Sequence, residues 1–117
     1  MFNQGDILII PIPFTDLTSK KKRPVLVLSN SSYNRKTNDI IVAAITSNIT
    51  QKDYAVFISN KDLKTGKLKV NSCIRVDKLY TLSQNIVIKK FGSVKNYILE
   101  EVKAKLKELL FKPTNTY

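Results

Sequence analysis

The 117-residue chain has no histidine, one cysteine and three glycines. Without histidine there is no Ser-His-Asp triad, no histidine zinc site and no histidine acid–base pair. A single cysteine, Cys73, forms no internal disulfide and builds no zinc or iron–sulfur centre; it suits a reducing compartment. Gly5, Gly66 and Gly92 lie too far apart for a glycine-rich phosphate loop. No apolar run approaches the ~18 residues of a membrane span. The start, MFNQGD, has neither the basic residues nor the apolar core of a signal peptide. The expectation is a cytoplasmic protein without membrane segment, cofactor or metal site.

Negative charge is scarce too. Nine Asp and Glu stand against twenty Lys and Arg, a net charge of +11. Such an excess favours a polyanionic partner: nucleic acid, an acidic protein or an anionic membrane surface. Lysine enrichment from genome composition also fits, given the many Lys, Asn and Ile residues.

What is present reads as one domain over residues 1–117, with 43% apolar and 25% charged residues, as in ordinary globular chains. Strand patterning comes first. Residues 6–14, DILIIPIPF, are apolar and β-branched, and Pro11 and Pro13 argue for an edge strand or a bulge. Residues 15–23 form a polar loop that ends in three lysines and Arg23. PVLVLSN (24–30) is a continuous apolar run that fits a central strand covered on both faces. Residues 31–38 read as a polar connection, and DIIVAAITSN (39–48) as a second buried strand. YAVFIS (54–59) alternates moderately, and residues 60–67 read as a turn around Gly66. Residues 68–77 place Leu68, Val70, Ile74 and Val76 on one face, with Cys73, Arg75 and Asp77 on the other. LYTL and NIVIKKFG follow as short strands.

Near the C-terminus the period changes. Val94, Ile98, Val102, Leu106, Leu109 and Leu110 recur at helical spacing, so a helix is expected over about 93–111 with Ser93 as its N-cap. Pro113 opens a polar tail, 113–117. The fold class is therefore mainly β: a small, strongly bent antiparallel sheet, curled into a barrel and covered by a C-terminal helix.

Three places carry candidate chemistry. Pro24 forces Arg23 toward extended geometry at the mouth of a buried strand, where its guanidinium suits a two-pronged phosphate grip; the position equally suits a solvated loop arginine. Thr46 and Ser47 end the next strand, where hydroxyls donate to phosphoryl oxygens or close a turn. Arg75 and Asp77 are an i, i+2 pair on one strand face, either a fixed arginine beside a base or an ordinary surface ion pair.

Their order is more telling than any one of them. GDI, then KRPVLVLSN, AAITSN and SCIRVDKLYTL, closed by an amphipathic helix, resembles the MazF/PemK family of toxin endoribonucleases from about Gly5 to about Leu110. The resemblance implies an SH3-like barrel of the MazF/PemK (CcdB-like) type, assembled as a homodimer. It implies metal-independent cleavage of single-stranded RNA at short sequences, leaving a 2′,3′-cyclic phosphate and a 5′-hydroxyl. It implies inhibition by an antitoxin with an acidic, flexible segment, and contact with operator DNA only through that complex. By position, Arg23 and Thr46 match the family's catalytic arginine and threonine, and Arg75 and Asp77 match residues of the PemK-like branch. That branch also uses a first-loop histidine, which this chain lacks.

The chemistry expected on this basis makes Asp77 the candidate base, Arg23 and Arg75 charge stabilisers, and Thr46 a donor to the phosphoryl oxygen. Lys20, Lys21, Lys22, Ser47 and Lys78 are expected to bind the RNA backbone, with Phe14, Tyr33 or Tyr80 stacking bases or serving the core. The alternatives are a non-catalytic nucleic-acid-binding module or repressor partner on the same fold, and an interaction domain for acidic peptides.

Overall fold

A computed structural model describes residues 1–11, 21–50 and 53–113. The strands are β1 (Asp6–Pro11), β2 (Lys22–Val27), β3 (Asp39–Thr46), β4 (Ala55–Ile58), β5 (Leu63–Thr65), β6 (Ser72–Ser83) and β7 (Lys89–Val94). The helices are α1 (Ser31–Lys36) and α2 (Asn96–Phe111). Among the described residues the seven strands form one sheet in the order β4-β6-β3-β2-β1-β7-β5, with every neighbouring pair antiparallel. The sheet curls into a half-barrel.

Two apolar clusters explain the curl. One face of β1–β3 contributes Ile7, Leu26, Ala43 and Ile45; these pack with Val56, Ile74 and Val76 against Ile98 and Val102 of α2. The opposite face contributes Leu8, Ile10, Val25, Val27, Ile40 and Val42, closed in part by Phe2, Tyr80, Leu82 and Val87. Strands apolar on both faces must be covered on both, and each fully buried Leu or Ile contributes about 1.5–3 kcal/mol. The central position expected for residues 24–30 holds.

Several local expectations change. Pro11 and Pro13 do not make β1 an edge, because β1 pairs on both sides; Pro11 ends the strand, and a register shift against β7 sits between Ile7 and Leu8. Pro13 lies outside the described residues. The 31–38 connection contains α1, capped by the Asn30 side chain, which accepts from the Tyr33 N–H at 2.8 Å. LYTL continues β6 as a single twelve-residue strand. The 60–67 turn holds a 3₁₀ turn (Asn60–Asp62) and the short β5. Val70 is exposed and precedes β6, so it does not share the buried face of Ile74 and Val76.

Ser93 is not the helix cap. It belongs to β7, where its hydroxyl hydrogen-bonds that of Thr65 at 2.9 Å, and α2 starts three residues later with Lys95 at the cap position. Sheet pairing of Ser93 with Asp6 outweighed its capping preference. The buried face of α2 is accordingly Ile98 and Val102, while Leu110 points to solvent.

Two glycines let β5 and β7 close up. A Cβ on Gly92 would sit 2.4 Å from the Thr65 carbonyl oxygen, and one on Gly66 2.5 Å from that of Phe91. Gly66 also has φ +87°, the left-handed region.

Candidate active site

β2 and β3 set the site. Their register pairs Val27 with Val42 and Val25 with Ala44; continued two residues, it sets Arg23 across from Thr46 on the same face. Thr46 in turn pairs with Cys73 of β6. Arg23 is exposed and Thr46 half-buried. The Thr46 hydroxyl oxygen accepts the Asn48 N–H at 3.1 Å, which closes the turn after β3 and leaves the hydroxyl hydrogen to donate elsewhere. The two readings of Thr46, turn closure and phosphoryl donor, are thus compatible in one geometry.

β6 brings the second pair. Arg75 pairs with Ala44, two residues along β3 from Thr46 and on the same face, but Ala43 pairs with Leu79, so Val76, Asp77 and Lys78 are looped out between the two registers. Bulges of this kind re-aim side chains. Here the bulge lets Asp77 fold back on Arg75, whose Nε and Nη2 donate to Asp77 Oδ1 and Oδ2, both at 2.9 Å. This fork-to-fork pair is half shielded, with side-chain exposures of 21% and 30%. Hydrogen bonding from Arg75 holds the Asp77 carboxyl below the usual carboxylate range, against a smaller opposing effect of burial. The same bond from Asp77 keeps Arg75 charged and pushes its titration upward. Three of its five N–H donors remain for another anion. An acid so stabilised as an anion is a weak proton acceptor, so the geometry favours Asp77 as the residue that orients Arg75.

Beside Arg23 the half-barrel opens into a groove of about 510 Å³. Its walls carry Lys22, Arg23, Lys69 and Lys89, and among the described residues none that lines it is acidic. Its floor is apolar, formed by Ile9, Pro24, Ile45 and Phe91, with Ser47 at the β3 end.

The expected site residues therefore divide. Lys22, Arg23 and Ser47 meet at the groove; Thr46 stands across from Arg23; Arg75 and Asp77 form a tight pair on the neighbouring strand. Lys78 is exposed in the bulge, and Lys21 is exposed just before β2. Tyr33 lies on α1, and Tyr80 packs against the second apolar cluster. Lys20 and Phe14 lie outside the described residues. Lys69 and Lys89 were not expected. Nothing in their local sequence separates them from other lysines, because only the fold brings the loop before β6 toward the start of β7. Among the described residues no three Asp, Glu, Cys or His cluster in a way that would hold a metal, and no helix is long and apolar enough to cross a membrane.

A curled antiparallel half-barrel with one covering helix and a basic groove at its strand ends defines a small β protein of the MazF toxin fold. The chain belongs to the PemK-like, MazF-like toxin family of type II toxin–antitoxin systems, whose family model matches residues 3–110. An endoribonuclease in complex with its cognate antitoxin, from a mycobacterial species, superposes with a TM-score of 0.78 at 19% identity, over 97% of this chain and 99% of that one. An endoribonuclease from a mycobacterial species gives 0.73 at 21%, over 97% and 94%. A MazE–MazF structure from Deinococcus radiodurans gives 0.71 at 24%, over 96% and 97%. A comparison with curated proteins found no match.

Proposed function

We propose that this toxin is a metal-independent endoribonuclease that cuts single-stranded RNA at short sequences. The ribose 2′-oxygen attacks the adjacent phosphorus, the bond from phosphorus to the 5′-oxygen breaks, and the products are a 2′,3′-cyclic phosphate and a 5′-hydroxyl. The observation that carries the reading is the Arg23–Thr46 juxtaposition across β2 and β3, with Arg75 on the same face of the neighbouring β6. Arg23 and the free donors of Arg75 stabilise charge on the pentacovalent phosphate, and the Thr46 hydroxyl donates to a phosphoryl oxygen. Asp77 holds Arg75 in place. The chain has no histidine and Asp77 is a stabilised anion, so the 2′-proton passes to solvent hydroxide and the 5′-oxygen takes a proton from water.

The family relation supports control by a cognate antitoxin with an acidic segment, for which a protein of net charge +11 is suited. The same relation supports a cytoplasmic homodimer that meets operator DNA only through the antitoxin complex.

The test is cleavage of end-labelled single-stranded RNA in EDTA. Wild type gives discrete fragments ending in cyclic phosphate. Arg23→Ala abolishes them, while Asp77→Asn slows the reaction without stopping it. Intact RNA with binding retained in wild type would replace this reading by a non-catalytic nucleic-acid-binding module.

A further inference from the structure

Tyr54 immediately precedes β4 and has φ 52°; among the described residues it is the one non-glycine with a positive φ. L-residues other than glycine and asparagine seldom take this left-handed region, because Cβ crowds the following carbonyl oxygen. Such a conformation persists only where its surroundings hold it. Two contacts hold it here. The half-buried side chain packs against the first apolar cluster, and the backbone carbonyl accepts the Val76 N–H at 2.9 Å.

That N–H belongs to the first residue of the looped-out stretch of β6. At Arg75 the strand is paired on both sides, with Ala44 of β3 and Ala55 of β4. Beyond Arg75 the β4 ladder has ended, and β3 pairs again only at Leu79. The Tyr54 carbonyl therefore holds the start of the bulge, one residue before Asp77. Arg75 depends on that anchor. Its cross-strand neighbours, Ala44 and Ala55, end at Cβ and leave a guanidinium lateral room, so the fork from Asp77 is what orients it. Where Val76 goes, Asp77 follows.

We infer that Tyr54 is a positioning residue for the Arg75–Asp77 pair: its packed side chain holds the left-handed turn, the turn aims its carbonyl at Val76, and the anchored bulge sets the fork. The effect on rate rests on the ribonuclease reading, in which Arg75 acts on charge that develops in the transition state. Tyr54 itself touches no reacting atom. Glycine takes the same turn freely because it has no Cβ; Tyr54 takes it because the core grips its side chain.

The experiment compares wild type with Tyr54→Phe, Tyr54→Ala and Tyr54→Gly. Steady-state cleavage of one RNA gives kcat and KM, NMR of the carboxyl carbons follows Asp77 through pH, and hydrogen exchange reports the Val76 amide. Tyr54→Phe keeps the ring and should stay within about twofold of wild type. Tyr54→Ala has nothing to hold the turn and should lower kcat about tenfold with little change in KM. In that variant Asp77 should titrate closer to the ordinary carboxylate range, and the Val76 amide should exchange faster. Tyr54→Gly lacks the ring too but adopts the turn freely, so it should recover most of the loss in all three readouts. A role limited to packing gives the reverse order, since glycine is the smaller residue and the more flexible one in the unfolded chain. Alanine equal to or better than glycine would overturn the inference, and so would wild-type titration of Asp77 in every variant. If Tyr54→Ala and Tyr54→Gly do not fold, wild type decides. A Val76 amide exchanging as fast as an unstructured one overturns the inference, and one protected like its β6 neighbours supports it. RNA left uncut by wild type, with titration and exchange in the expected order, would remove the ribonuclease reading and leave the positioning by Tyr54 standing.

Discussion

Thr46 does two things with one hydroxyl. Its oxygen is taken by the Asn48 N–H and its hydrogen is left over, so the turn orients the donor. Thr46→Val is therefore expected to lower kcat/KM by about 10²-fold, the usual effect of removing one transition-state donor. Thr46→Ser should recover most of it, and steady-state kinetics on one RNA checks both. Asp77 makes a sharper case through pH. With its carboxyl held below the usual range by Arg75, Asp77 is already ionised through the neutral region, and a base of that kind would give a flat rate profile there. Proton removal by hydroxide gives a cleavage rate that climbs with pH from about 6 to 9, roughly tenfold per unit while chemistry limits. A flat profile would restore Asp77 as the base. For folding, the sign of a lowered carboxyl is fixed: its contribution is present above the ordinary carboxylate pKa near 4 and is lost as pH falls through the lowered value.

At the level of elements, the same linkage acts where α2 meets the 3₁₀ turn. Asp62 is buried, which raises its pKa, but hydrogen bonds from the Tyr97 hydroxyl and from Ser59 outweigh burial and leave it lowered. Tyr97→Phe should lower the urea midpoint at pH 7, and the gap from wild type should close as pH drops below about 4. The β5–β7 contact predicts a second effect. Gly92→Ala forces a Cβ onto the Thr65 carbonyl and should cost about 1–3 kcal/mol in denaturant unfolding, as overpacking does.

These elements also show what the sequence made legible. β2 and β3 were plain, because continuous apolar runs of strand length have few other uses. The helix was plain from its period, yet its start was misplaced, since a serine serves equally as cap and as strand residue until a partner strand is known. α1 was hidden by its polar face; what fixes it is tertiary. Asn34 is buried, bonding Ser29 and the Phe2 carbonyl, and Gln84 donates to the Asn34 carbonyl from fifty residues away. Arg23 and Thr46 stood out by position beside Pro24 and at a strand end. The Arg75–Asp77 fork depended on a looped-out stretch that no local pattern announces, and the lysines of the groove wall on a closure between distant segments.

Across the whole molecule, charge and topology act together. A net +11, with four cationic residues among those described around the groove, should make RNA binding fall steeply with salt, and affinity titrations between 50 and 200 mM would measure it. Affinity flat over that range would remove the electrostatic role of the groove and of Lys22. The sheet closes by pairing its first strand with its last: Asp6 lies beside Ser93, and β7 then carries β5 at the sheet's edge. Contacts of such long sequence separation form slowly. A ribosome adding about 5–20 residues per second needs several seconds between releasing β2 and releasing β7. Through that interval the chain displays Arg23 and its lysines without the wall that completes the groove. A chain laid out this way completes its groove only after β7 has left the ribosome and paired with β1.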